Sequence, residues 1–305
     1  MVRSEVFTLD LNFQNRHGTI ASFLIPHSRG AILVECGPSS TLPALLQGLS
    51  EHGFTARDVT DVLLTHIHLD HAGAAGWFAR QGARIHVHPV GAPHLRDPEK
   101  LLTSARRIYG DSMESLWGEF LPVPQDQLSI PLNGGEIEID GICLRAIDTP
   151  GHAEHHFVYL LEDLAFSGDI GGVRLPGSNH IRLPMPPPDL HIGKWRLSLQ
   201  RLIQLPIRRL APTHFGIFSD AAWHLNVLSQ ALDEIDAWIE ATMPDEPSIE
   251  VLNEKFMEWT RRRSIEQGVQ PEVIEKYEIA NPSWMSSNGI QRYWSKFCSE
   301  KREQD

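Results

Sequence analysis

The chain has few cysteines and a shortage of positive charge. Its 305 residues include three cysteines, Cys36, Cys143 and Cys298, odd in number and widely scattered. Such usage excludes a disulfide framework and fits a reducing compartment. Lys and Arg total 27 against 39 Asp and Glu, a net charge of −12. That balance argues against nucleic acid or an anionic membrane as the main partner. No apolar run approaches the roughly 20 residues that cross a bilayer. Met1-Val2-Arg3-Ser4-Glu5 lacks the apolar core of a signal peptide. The expectation is a cytoplasmic protein with no membrane partner. No GxSxG, P-loop or GxGxxG stands in a suitable strand–helix context, so those chemistries have no carrier here. No tandem repeat or low-complexity tract is visible.

What the chain does hold is a cluster of metal-ligand side chains. Thr65-His66-Ile67-His68-Leu69-Asp70-His71 follows the apolar run Val62-Leu63-Leu64. Imidazole and carboxylate are the usual ligands of zinc and similar ions. Residues two apart in extended chain point the same way, so His66 and His68 can reach one ion. Asp70 and His71, turning onto the next segment, can reach a second. Three more candidates, His152, Asp169 and His214, each follow a strand-like run. Residues just past strand ends collect on one edge of a sheet. Seven ligands exceed one tetrahedral ion and suit two.

Apolar residues make up 41% of the chain, enough for a sizeable core. Residues 5–35 read as three strands, and Ser40 is placed to cap a helix over Leu42–Leu49. Strands are expected at 62–65, 84–88, 128–130, 136–139, 142–147, 157–161, 165–166 and 207–210, with helices over 101–117 and 192–205. Strands and helices in this alternation suit two sheets packed face to face with helices outside. A Pro-rich loop over 176–190 shapes a pocket wall. From Ser219 the periodicity turns helical, as in Leu225, Leu228, Leu232 and Ile235. The expected division is therefore 1–218 and a helical extension, 219–305, a cap whose four Trp should bury against the core, or else a homodimer contact or substrate-pocket wall.

HxHxDH with the later Gly151-His152, Gly168-Asp169 and Thr213-His214 resembles the metallo-β-lactamase superfamily over about residues 18–220. The likeness is greatest to its glyoxalase II-like branch, which keeps the Asp at 169 where true β-lactamases carry Cys or Ser. The resemblance implies an α/β fold, the αβ/βα four-layer sandwich. It implies that His66, His68 and His152 hold one ion, that Asp70, His71 and His214 hold the other, and that Asp169 bridges them. Glu35 stands where the family usually has a structural Asp. His156 matches a position where the family often has a supporting His. His155, His180 and His191 are candidates to touch substrate, whereas His86 and His88 read as structural.

The expected cofactor is a pair of divalent ions, zinc foremost, with iron or manganese also compatible with these ligands. The expected activity is hydrolysis of a small-molecule ester, thioester or lactone by metal-bound hydroxide. Asp70 is the candidate catalytic group, orienting the nucleophile or protonating the leaving group. The alternatives are a phosphodiesterase or ribonuclease of the same superfamily and a non-hydrolytic iron-dependent redox protein. The acidic charge weighs against the first and the full seven-ligand set against the second.

Overall fold

The computed structural model describes residues 4–298, and these form two compact units. The first comprises the chain up to Asp148 together with His155–Gly168, and the second comprises Thr149–Glu154 and the chain from Asp169 onward.

The first unit contains two sheets. One runs β1 (Phe7–Asp10), β2 (Ala21–His27), β3 (Gly30–Val34), β4 (Val59–Leu63), β5 (Arg84–His86), β6 (Leu128–Ser129), hydrogen-bonded in that order. Its first three strands pair antiparallel and the rest parallel. β3 reads as a continuous apolar run because a strand inside the sheet is covered on both faces. The other sheet is an antiparallel meander of β7 (Glu136–Ile139), β8 (Ile142–Asp148), β9 (Phe157–Leu161) and β10 (Leu164–Phe166). β7 alternates exposed Glu with buried Ile, the pattern of a half-buried strand, whereas β9 is buried throughout. Phe23 of β2 meets Phe166 of β10 at 5.4 Å between ring centroids, and the Tyr159 hydroxyl donates to Leu64 O at 3.0 Å. These contacts join the two sheets through one apolar interior.

Two local expectations are corrected. Ser40 does not cap the helix Leu42–Glu51; its hydroxyl donates to Leu116 O at 2.6 Å, tying that loop to the segment 113–117. The helix expected over 101–117 is two, Glu99–Tyr109 and Met113–Trp117. Gly110, at φ 53°, ends the first.

The second unit is mostly helical. It holds a helix Ile192–Ile203, the short β11 (Arg209–Ala211), and helices Ala221–Thr242, Ile249–Glu266, Pro271–Ala280 and Ser283–Tyr293. Leu225, Leu228, Leu232, Ile235 and Ile239 line one buried face of the first long helix. The Trp residues do not carry the burial expected of them: Trp238 and Trp259 are half-buried and packed on each other, and Trp284 is exposed. Leu252, Phe256, Tyr277 and Ile290 fill the interior instead. No described helix is long and apolar enough to cross a membrane.

Candidate metal centre

In the first unit, β4 ends at Leu63 and the chain runs extended to His68, where the short helix Leu69–Ala72 begins. That geometry separates two ligand pairs. His66 Nε2 and His68 Nδ1 lie 2.9 Å apart, two nitrogens converging on one point. Asp70 and His71 sit on the helix, with Asp70 Oδ2 3.6 Å from His71 Nε2.

Glu35 fixes which nitrogens face outward. It lies just past β3, fully buried, and its carboxylate accepts from the Thr65 hydroxyl and from His71 Nδ1–H at 3.2 Å. Thr65 Oγ1 in turn accepts from His66 Nδ1–H at 3.1 Å. One carboxylate thus assigns the Nδ1–H tautomer to both imidazoles, leaving Nε2 of each with its lone pair for a metal. This is how supporting carboxylates usually orient ligating histidines. Atoms of Glu35, His66 and His71 lie within 4.8 Å of one another. The bonds from Thr65 and His71 engage Glu35, so it holds two candidate ligand side chains in place. The sequence showed the departure from Asp here but not this pair of hydrogen bonds, which join residues 30 and 36 positions apart. Beside the carboxylate, burial and the Glu35 charge push the Cys36 thiol well up, so Cys36 stays protonated and inert.

In the second unit, His152 Nδ1–H donates to Pro184 O at 2.8 Å, which turns Nε2 toward Asp169. That Nε2 lies 3.4 Å from Asp169 Oδ2, while His214 Nε2 lies 3.5 Å from Asp169 Oδ1. One carboxylate therefore presents one oxygen to each of two imidazoles. Glycine precedes His152 because a Cβ at Gly151 would come within 2.3 Å of Trp195 Cα. The loop is fastened there by His191 N–H donating to Gly151 O at 2.8 Å, and Trp195 Nε1–H donates to Ile170 O at 2.9 Å. The Pro184 carbonyl and Trp195 had no signal in the sequence, because a backbone acceptor leaves no residue type to recognise.

The remaining histidines have distinct surroundings. His155 is buried beside the first pair, its ring 5.6 Å from that of His68, and His156 stacks at 5.1 Å on His66. His180 is interior to the helical unit, with Nδ1 2.6 Å from Gln267 Oε1 and Nε2 3.1 Å from Ser264 Oγ. Burial pulls its pKa down to about 4. His191 caps the helix Ile192–Ile203 by accepting from Lys194 N–H, and it packs at 4.6 Å on Phe297. His86 and His88 are held by Asp61 at 2.8 Å and Asp148 at 3.2 Å.

A set of imidazole donors with a buried carboxylate suits a divalent cation of the zinc type. Known proteins agree with it. Residues 16–214 match the family described as metallo-beta-lactamase superfamily, a span that contains all seven ligand candidates. The chain is similar to a metallo-beta-lactamase fold-containing protein of Sulfurisphaera tokodaii, 29% identical over 195 residues, 62% of this chain and 73% of that protein. It is 30% identical over 216 residues to a hydroxyacylglutathione hydrolase of Xylella fastidiosa, 70% of this chain and 66% of that one. An atrochrysone carboxyl ACP thioesterase of Aspergillus fumigatus is 32% identical over 122 residues, 39% of this chain and 29% of the thioesterase. Among solved structures, a metallo-beta-lactamase family protein of Thermus thermophilus shares the fold at a TM-score of 0.62 and 22% identity, covering 95% of this chain and 93% of that one. The chain belongs to the metallo-β-lactamase superfamily.

Proposed function

We propose that this chain, a metal-dependent hydrolase of its superfamily, holds two divalent ions and acts on a small ester, thioester or lactone. The observation that carries the binuclear reading is the Asp169 carboxylate facing His152 with one oxygen and His214 with the other. His66, His68 and His152 would hold one ion, Asp70, His71 and His214 the other, and Asp169 both. Such ions supply Lewis acidity and bring the pKa of water toward about 7.

The chain's own residues divide the remaining work. Glu35 and Thr65 keep His66 and His71 in the ligating tautomer. Pro184 does the same for His152. Asp70 differs from the buried His71 beside it, its side chain being 21% exposed, so it can exchange a proton with an arriving substrate. We assign it to orienting the attacking water and protonating the leaving group.

Three features support an acyl substrate. Relatives named hydroxyacylglutathione hydrolase and thioesterase share 30% and 32% identity with this chain. The net charge of −12 disfavours polyanions, whose binding depends on many Lys and Arg contacts. Asp169 occupies the position at which true β-lactamases carry Cys or Ser.

The test pairs metal analysis with an activity panel at one pH and one metal loading: a thioester, a lactone, a phosphodiester, a penicillin and a structured RNA. The expected result is about two ions per chain, with thioester or lactone hydrolysed fastest. Saturation at one ion after careful reconstitution would refute the binuclear centre. Phosphodiester or RNA cleavage tenfold above every acyl substrate would transfer the chain to the nuclease reading.

A further inference from the structure

The family match ends at residue 214, yet the helices beyond it grip the segment whose Pro184 carbonyl accepts from His152 Nδ1–H. The grip is made at five residues spread along the segment 175–185, all within the second unit. The Tyr277 hydroxyl, fully buried, donates to His180 O at 2.6 Å and accepts from Leu175 N–H at 3.1 Å. The Arg182 side chain, 3% exposed, pairs with Glu278 and lies over the Tyr277 ring at 5.0 Å. Asn281 Nδ2 donates to Leu183 O at 3.2 Å, and Ser286 Oγ accepts from Met185 N–H at 3.4 Å. Gly289 lets the helix Ser283–Tyr293 press against the chain so closely that a Cβ there would meet Met185 O at 1.9 Å. Pro184, whose carbonyl takes the His152 Nδ1–H at 2.8 Å, sits between two gripped residues. It has no N–H of its own, so its position is set by its neighbours.

We propose that Tyr277, Asn281 and Gly289 are positioning residues for the metal centre, holding Pro184 O where it fixes the ring and tautomer of His152. The inference rests on the assignment of His152 as a ligand. It gives the C-terminal helices a task in metal binding distinct from general stability. A ligating imidazole whose outer partner drifts loses both its orientation and its basicity, and loss of such a partner typically weakens metal binding about 10- to 100-fold.

The experiment measures zinc affinity by competition with a chromophoric chelator, and melting of the metal-free protein, for Tyr277→Phe, Gly289→Ala, His152→Ala and Leu232→Ala. Tyr277→Phe keeps the ring and removes only the hydroxyl's hydrogen bonds to Leu175, Ser178 and His180, so it preserves the fold even where Gly289→Ala does not. Leu232 is buried on the helix Ala221–Thr242 and serves as the stability control. The expected result is at least a tenfold loss of affinity at one ion in Tyr277→Phe and Gly289→Ala, with a changed absorption spectrum of the cobalt-loaded protein. Leu232→Ala should melt earlier yet keep the parental affinity. Parental affinity in both Tyr277→Phe and Gly289→Ala, or an equal loss in Leu232→Ala, would overturn the clamp. If His152→Ala itself retains parental affinity, the ligand assignment is at fault and the clamp falls with it.

Discussion

Glu35 adopts φ 66°, a left-handed backbone that ordinary side chains seldom take, at a fully buried position. Strain and burial of a carboxylate are both unfavourable, and both are offset by the bonds it makes to Thr65 and His71. Removing it in Glu35→Ala should therefore weaken zinc binding roughly 10- to 100-fold. Chelator competition checks this, and unchanged affinity would show that the two imidazoles find their tautomers unaided. Asp70 makes a contrasting case. It is partly exposed and opens no cavity when altered, so Asp70→Asn should lower turnover by at least tenfold while shifting the melting temperature of the metal-loaded protein little. A large fall in melting temperature with unchanged turnover would contradict the catalytic role.

At the scale of elements, the loop after β4 works because an extended run meets a short helix. His66 and His68 sit on the extended part and Asp70 and His71 on the helical part, so one peptide offers two separate pairs of candidate ligands. The motif made this legible in advance, because the period changes within it. The C-terminal helices were legible as helices from their 3.6-residue spacing, but not in their packing. Their buried face is built from Leu, Ile, Phe256 and Tyr277, while Trp284 faces solvent. Truncation after Ser219 should still give insoluble or non-cooperative protein, since each exposed Leu or Ile forgoes roughly 1.5–3 kcal/mol of burial. Solubility and a thermal melt of residues 1–219 check this, and a soluble fragment with a single sharp transition would make the helices a separable module.

For the whole molecule, acid is the expected weak point. His180 and His224 are buried with pKa values near 4, lowered chiefly by burial. An unfolded histidine titrates near 6.5, so between about pH 6.5 and 4 the unfolded chain binds protons that the folded chain refuses. Stability is thus fully present above that window and lost as pH falls through it, by at most roughly 3 kcal/mol for each group. Melting temperature against pH for the metal-free protein should fall across the window, and more shallowly in a His180→Gln, His224→Gln double variant. A parallel fall in both proteins would assign the loss elsewhere. The sequence by itself carried the two-sheet architecture in its hydrophobic period and the ligand candidates in their spacing, both local properties of the chain, while the motif's resemblance supplied the family. It also showed that Glu35 stood in place of Asp. Only the tertiary structure decided what that carboxylate holds, which carbonyl orients His152, and where His180 lies. Those are long-range matters, set by backbone groups and close approaches between segments up to about a hundred residues apart, such as Tyr277 and His180. A carbonyl carries no residue identity, and a glycine such as Gly289 reveals its reason only when its neighbour, Met185 O, is in place.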